Sequence, residues 1–187
     1  MTSLLADFIK EPRGVFFDGQ DNEEKILLFL RQHYIVNLRW ILVTALLFFA
    51  VPIAQFFLTL GGTSLEQILP TQYYFVLRFM LGLFTFGYFF ENFLNWFFNS
   101  YVVSDKRVVD IDFYGLLHRR FSEAPLRNIE DITNEISGFA QVIFHYGDVS
   151  IQTAAEMREI IFENVPNPDR VQDILSDLIS RVRKESK

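Results

Sequence analysis

An uncharged stretch from Trp40 to Leu60 most constrains what this chain can fold into. A helix of roughly 20 residues spans about 30 Å, which is the thickness of the hydrocarbon core of a bilayer. Pro52 is compatible with a membrane-spanning helix over this stretch, because transmembrane helices tolerate proline. A second apolar stretch, from Tyr73 to Trp96, carries Arg78 and Glu91 only near its ends. The sequence therefore predicts two transmembrane helices, at about 40–60 and 74–96.

The distribution of basic residues predicts the orientation of this helical hairpin. Residues 61–77 contain no Lys or Arg, whereas basic residues precede the first span and follow the second: Lys25, Arg31, Arg39, Lys106 and Arg107. The positive-inside rule therefore places both termini in the cytoplasm and the short loop outside. Arg78 departs from this rule, but its long side chain can reach the headgroups. The apolar run begins only after many charged residues, which is unlike a cleaved signal peptide.

Composition argues against several other classes of protein. Among 187 residues, 50% are hydrophobic and 22 are Phe, which is incompatible with a wholly disordered chain. The lack of cysteine excludes disulfides, cysteine zinc sites and thiol nucleophiles. A net charge of -6 and a pI near 5.1 argue against nucleic acid as a partner.

The residues after Trp96 show the period-two pattern and closely spaced turns of a small β domain. Val109, Ile111 and Phe113 alternate with their neighbours and predict a half-buried strand after a turn at 104–107. Four further strands are predicted, at 116–121, at 129–136 with a bulge, at 149–153 after a turn at Gly147-Asp148, and at 159–165.

The N-terminal segment is less clear. Residues 3–9 favour a short amphipathic helix, and turn-like residues follow between Phe16 and Asn22. Residues 25–36 mix apolar side chains with Arg31, Gln32 and His33. This pattern is compatible with a strand or with an interfacial helix, and periodicity does not decide between them.

The end of the chain has the pattern of an amphipathic helix. Asn167 is a predicted N-cap, and Pro168 is suited to the first helical position. Apolar residues then recur on one face: Val171, Ile174, Leu175, Leu178, Ile179 and Val182. We expect Leu175 and Leu178 to be buried and Asp177 to face solvent.

An ordered set of short motifs runs through the soluble half: Tyr101–Val109 with its central turn, Gly115-Leu116-Leu117, Pro125-Leu126 with Ile129, Ser137-Gly138, Gly147-Asp148-Val149, Thr153-Ala154 and Asn164–Pro168. With the preceding helical hairpin and residues 24–37, this set resembles the bacterial pleckstrin-homology-like (PH-like) membrane proteins. The resemblance implies a bent antiparallel sheet plugged by the last helix and hung from a membrane anchor. Ser104, where threonine is usual, and Ala155, where glycine is common, depart from the family pattern.

These observations together predict an α+β membrane protein: a two-helix transmembrane hairpin followed by a PH-like bent β-sheet or barrel with a C-terminal helix. The expected divisions are an N-terminal cytoplasmic or interfacial segment (1–36), the hairpin (37–98) and a cytoplasmic PH-like domain (99–187). The expected location is the bacterial cytoplasmic membrane, with both termini in the cytoplasm.

Motifs that would carry chemistry are missing from the sequence. The three histidines, His33, His118 and His145, lack the short spacing of a metal pair. Neither a nucleophile elbow nor a glycine-rich phosphate loop is present. Carboxylates such as Asp110 and Asp112 are interpreted as solvated strand faces. We therefore expect no enzyme activity, no catalytic residues, no cofactor and no metal.

The leading functional hypothesis is a non-enzymatic protein-interaction or assembly module at the cytoplasmic face of the membrane. It would offer sheet edges and the loop Ser137–Tyr146 to a protein partner or to copies of itself. The alternative is a module that senses anionic lipid or orients itself on the membrane through a basic patch: Lys106, Arg107, Arg119 and Arg120. Acidic residues outnumber basic ones from Asn99 to Lys187, which favours the first hypothesis.

Overall fold

The computed structural model describes residues 7–12, 16–17, 19–21, 23–68, 70–114, 118–154 and 159–185. Its contacts divide the chain into two compact units. One, here called the β unit, combines Met1–Val36 with Asn95–Lys187. The other, called the helical unit, is Asn37–Leu94.

The helical unit contains two long apolar helices. These are α1, Asn37–Leu60, and α3, Thr71–Phe98, whose last residues belong to the β unit; a short α2, Leu65–Ile68, lies between them. Both long helices are sufficiently long and apolar to cross a membrane. The prediction of two apolar helices is therefore confirmed, and each helix extends a few residues beyond its predicted bounds.

The β unit contains two antiparallel sheets. The first has the strand order β1-β2-β3-β4-β5: Phe8–Lys10, Ile26–Leu30, Ser100–Ser104, Arg107–Tyr114 and His118–Pro125. The second has the order β6-β7-β8: Ile129–Glu135, Tyr146–Thr153 and Ile160–Pro166. A short helix α4, Phe139–Phe144, connects β6 to β7, and α5, Pro168–Glu185, follows β8.

Strand β2 comes before the helical unit in the chain, yet it pairs with β3, which comes after it. Ile26 lies opposite Ser104 and Leu30 opposite Tyr101. The open choice for residues 25–36 is thus resolved as a strand followed by a 3-10 turn, Tyr34–Val36. The helical unit is an insertion between two adjacent strands, which differs from the predicted division that began the PH-like domain at residue 99.

The predicted N-terminal helix at residues 3–9 is corrected where the structure describes it. Phe8 and Ile9 lie in β1, which pairs with β2, and residues 3–6 lie outside the described residues. A strand partner that is distant in sequence determines this structure, and local periodicity cannot report it.

The main core lies between the two sheets and α5. Leu28, Leu30 and Val108 from the first sheet meet Ile151 and Phe162 from the second. Helix α5 closes the core with the predicted stripe: Val171, Leu175 and Ile179 are buried, and Ile174, Leu178 and Val182 pack at its margin. Leu178 is therefore half-buried rather than buried.

Two predicted local features of the sheets are corrected. Strand β4 is buried on both faces, because Val109 packs with Phe17 and Ile26 in a second, smaller cluster. Gly147 lies inside β7 rather than in a turn, and a Cβ there would collide with the carbonyl oxygen of Glu135. The chain reverses instead through α4.

The predicted capping of α5 is partly confirmed. Pro168 begins the helix, and the carbonyl of Asn167 accepts hydrogen bonds from the N–H groups of Arg170 and Val171. Asn167 itself has φ of 49°, a left-handed conformation that differs from the extended backbone of a usual N-cap. The predicted bulge in the strand at 129–136 is confirmed by a register shift between Ile129 and Asp131.

The burial of α5 predicts which substitutions on this helix destabilise the β unit. Leu175→Ala should lower the free energy of unfolding by about 2–5 kcal/mol, because it removes apolar contacts and leaves a cavity. Asp177→Ala, on the exposed face, should change it little. Thermal unfolding of the full chain in mild detergent measures both, and equal midpoints would contradict the packing of α5.

Candidate functional site

An ion pair joins the N-terminal segment to the start of β4. The Nε and Nη2 atoms of Arg107 donate to the two carboxylate oxygens of Glu24, at 3.0 and 2.8 Å. The Glu24 side chain is 0% exposed and that of Arg107 is 19% exposed. Because both donors belong to one planar guanidinium, this bidentate geometry fixes the position of each partner.

Ser104 completes the surroundings of Glu24. Its hydroxyl donates to the Glu24 carboxylate at 2.6 Å and accepts from the backbone N–H groups of Lys106 and Arg107. A serine thus supplies the hydroxyl at this position, where the family resemblance leads one to expect threonine. The turn between β3 and β4 is therefore tied directly to the buried carboxylate.

The environment of Glu24 stabilises its charged form. Burial would raise the pKa of this carboxyl, but hydrogen bonds from Arg107 and Ser104 outweigh burial and hold the pKa at about 2. The same pairing raises the pKa of Arg107. Both groups therefore remain ionised across the physiological range, and the pair is permanent there.

Lys106 and Arg107, two of the four predicted patch residues, are engaged within the chain. Lys106 forms an exposed ion pair with Asp21, at 2.9 Å. Arg107 contacts Glu123 at 2.8 Å in addition to Glu24, and its Nη2 also donates to the carbonyl of Gly19. Their charges are balanced by nearby carboxylates, so this end of the sheet is not a net basic surface.

Arg119 and Arg120, the other two, lie near the opposite end of the β4–β5 hairpin. Arg107 is opposite Pro125, whereas Arg119 is opposite Phe113, six positions further along β5. At roughly 3.3 Å per residue this separates the two basic pairs by about 20 Å. The structure therefore does not bring the four predicted residues into one patch.

The surroundings of Arg119 and Arg120 differ from one another. The guanidinium of Arg119 lies over the rings of Phe113 and Phe121, at 5.9 and 5.8 Å from their centroids. Arg120 is opposite Asp112 across the β4–β5 pair. One arginine thus packs on aromatic rings, and the other faces a carboxylate.

Asp110 is a buried carboxyl that the sequence interpretation missed. It is 6% exposed, and its Oδ1 has no hydrogen-bond partner among the described residues. Burial and the adjacent Asp112 raise its pKa to about 7. The interpretation as a solvated strand face is therefore wrong for Asp110. The sequence did contain a signal for this burial: Asp110 lies two residues after Val108, so it shares a strand face with a core residue.

The predicted partner loop Ser137–Tyr146 contains the helix α4. Gly138, with φ of 140°, precedes the helix, and His145 in a left-handed conformation ends it. Four large apolar side chains of this helix are exposed: Phe139, Val142, Ile143 and Phe144. This segment is therefore a second candidate for interaction, of apolar rather than charged character.

Among the side chains that the structure describes, the histidines are not part of a metal-binding group. His33 is buried and stacks on Tyr146, and burial lowers its pKa. Over the described ranges, no group of three or more His, Cys, Asp or Glu side chains could hold a metal ion.

The strand order, the C-terminal helix that closes the core and the insertion of apolar helices define a PH-like α+β module. The family model "Bacterial PH domain" matches residues 34–179, which is most of the chain. The chain therefore belongs to the bacterial PH domain family. Membership suggests a module that interacts with protein or lipid.

One solved structure similar to this chain is that of a DUF1696 family protein with a pleckstrin-homology domain from Shewanella loihica PV-4. It is 17% identical, with a TM-score of 0.33, and the match covers 44% of this chain and 68% of that one. No curated protein matches the chain significantly.

The buried ion pair predicts an acid-sensitive contribution to stability. Glu24→Gln should lower the free energy of unfolding at pH 7 by about 3 kcal/mol, because Arg107 then loses its buried partner. The pKa of Glu24 is held at about 2, below its ordinary value of 4.5, so its contribution is complete above pH 4.5. That contribution is lost as the pH falls towards 2.

Unfolding of the full chain between pH 7 and pH 2 measures this effect. The difference between wild type and Glu24→Gln should shrink below pH 4.5. Glu23→Gln, at the exposed neighbouring position, is the matched control and should show little difference at any pH. An equal loss for both variants would contradict the role of Glu24.

Proposed function

We propose that this chain is a membrane-anchored, non-enzymatic protein-interaction or assembly module. In this proposal α1 and α3 span the cytoplasmic membrane of a bacterium, and the PH-like β unit lies on the cytoplasmic side with both termini. One observation carries the proposal: two long helices with exposed apolar side chains are inserted in the sequence between the paired strands β2 and β3.

The surface of the helical unit supports insertion in a bilayer. Large apolar side chains such as Phe48, Phe56 and Phe84 are exposed along both long helices, and a surface of this kind is not tolerated in water. The hydroxyls of Thr44 and Thr85 donate to carbonyl oxygens four residues earlier in their own helices. These polar groups therefore have partners within the helix, as a bilayer requires.

The edges of the two sheets differ in their availability to a partner. The β6 edge is covered by α5, because Gln172 and Arg183 donate to the carbonyl oxygens of Ile132 and Ile129. Strand β5 forms an edge of the first sheet and is eight residues long. A cavity of about 300 Å³ borders residues 120–124 of this strand. Strand β5 is therefore our candidate for protein binding by strand addition.

The arrangement of basic residues favours a protein partner over a lipid headgroup. Lys106 and Arg107 are paired with carboxylates, and Arg119 and Arg120 lie about 20 Å away from them. A headgroup site needs several cations that converge on one phosphate region. The divided arrangement lacks that convergence.

The proposed topology can be tested with single cysteines, because the native chain has none. Thr63→Cys, in the loop between the long helices, should react with an impermeant thiol reagent on intact cells. Asp177→Cys, on the exposed face of α5, should react only after the cells are opened. Labelling of Asp177→Cys on intact cells would contradict the cytoplasmic location of the β unit.

The proposed partner surface can be tested by site-directed photo-crosslinking in cells. A crosslinker attached at Phe121→Cys, on the edge strand β5, should give discrete protein adducts, while one at Asp177→Cys should not. Identical products at positions 121 and 177, or lipid adducts alone, would argue against strand β5 as a protein-binding edge.

A further inference from the structure

Helix α4 presents the largest cluster of exposed apolar side chains in the described part of the β unit. Phe139 is 85% exposed, Val142 58%, Ile143 51% and Phe144 44%. The sequence from Ile136 to Phe144 contains no charged side chain. Exposed apolar clusters of this kind mark contact with another molecule or with a membrane.

The position of α4 is fixed next to the residues that lead into α1. The ring of Tyr146, two residues after α4, stacks on that of His33 with centroids 5.2 Å apart. The backbone N–H of His33 donates to the carbonyl of Asn164 at 2.7 Å. Three residues, Tyr34–Val36, then separate His33 from the first residue of α1. The end of the β unit that carries α4 is thus the end from which the chain enters α1.

The last turn of α3 is held at the same end of the β unit. The indole N–H of Trp96 donates to the carbonyl of Gln32 at 3.0 Å. The guanidinium of Arg31 lies 4.7 Å from the ring centroid of Phe97. The residues at which the chain leaves for α1 and returns from α3 are therefore bonded to one another within the β unit.

These placements, taken with the proposed membrane anchor, bear on what covers the exposed side chains of α4. If α1 and α3 span the bilayer, the end of the β unit to which both are joined lies at the level of the headgroups. Tyr34 and Phe98 are exposed aromatic residues at these junctions, as in an interfacial aromatic belt. Aromatic and aliphatic side chains like those exposed on α4 are the ones that interfacial segments bury at the boundary between headgroups and acyl chains.

We propose that α4 is a third membrane contact, which buries Phe139, Val142 and Ile143 in the same bilayer that holds α1 and α3. The proposal rests on the proposed anchoring by α1 and α3, and it reassigns the predicted partner loop from protein to lipid. A protein interface would be expected to place polar or charged residues around its apolar centre, and residues 136–144 supply none that is charged.

The test uses the full chain reconstituted in vesicles of phosphatidylcholine and phosphatidylglycerol. Single cysteines at Val142, Leu46 and Arg127 carry an environment-sensitive fluorophore, and quenching is measured with a spin label on the acyl chains and with iodide in water. Leu46 on α1 reports the bilayer, and Arg127, exposed between β5 and β6, reports solvent. Val142 should be quenched by the acyl-chain label roughly twofold more than Arg127 and should be protected from iodide.

Each other outcome overturns the proposal in a distinct way. Equal iodide quenching at Val142 and Arg127, with lipid quenching at Leu46, would leave the anchor in place and show that α4 faces water. Protection of Val142 from both quenchers would indicate a protein partner on α4. Absence of lipid quenching at Leu46 would overturn the anchoring itself, and the proposal for α4 with it.

A variant separates insertion from mere proximity. Phe139→Asp combined with Val142→Asp should abolish lipid quenching of a fluorophore at Ile143→Cys, because charges resist transfer into the bilayer. The thermal midpoint should stay unchanged, since both side chains are exposed in the protein. Lipid quenching that survives the double substitution would contradict insertion by α4.

Discussion

The pairing of β2 with β3 is the contact on which the rest of the structure depends. It joins two segments that are separated in sequence by the whole helical unit, and it places Leu28 and Leu30 in the main core. The Glu24–Arg107 pair ties the same N-terminal segment to the start of β4. Pairing β2 with β3 across this long insertion costs conformational entropy. That cost rises only slowly with the length of the insertion. The β unit therefore requires residues from both sides of the helical unit.

The Glu24–Arg107 pair explains why the count of basic residues overestimates the charge that is available at the predicted basic patch. Arg107 has the sequence context of a lipid-binding cation, but its guanidinium satisfies a carboxylate that would otherwise be buried without a partner. Lys106 is similarly engaged by Asp21. The number of basic residues reports available charge, whereas the fold decides whether that charge is directed inwards or outwards. Only contacts between distant segments reveal the difference.

Local patterns predicted the elements whose structure is determined locally. The stripe of α5 and the strands β7 and β8 follow from spacing within a few residues. The bulged strand at 129–136 was predicted from its β-rich surroundings, because Ile129, Ile132 and Ile136 by themselves have helical spacing. The assignment of β2 and the burial of both faces of β4 depend on partners distant in sequence, so periodicity left them open or incomplete. Asp110 belongs to the second group, because its burial arises from the assembled unit rather than from its neighbours in the chain.

Under the proposed anchoring, three membrane contacts would also change what the β5 edge needs in order to bind a partner. A domain held by α1, α3 and α4 would have lost most of its rotational freedom before it meets a partner. Binding to a partner in the same membrane would therefore cost less rotational entropy. Confinement to the same surface also raises the effective concentration of the two proteins. An edge strand with Arg119, Arg120 and Glu123 exposed is protected against indiscriminate pairing. Under these proposals, a weak but oriented strand addition would therefore be sufficient for assembly at the membrane.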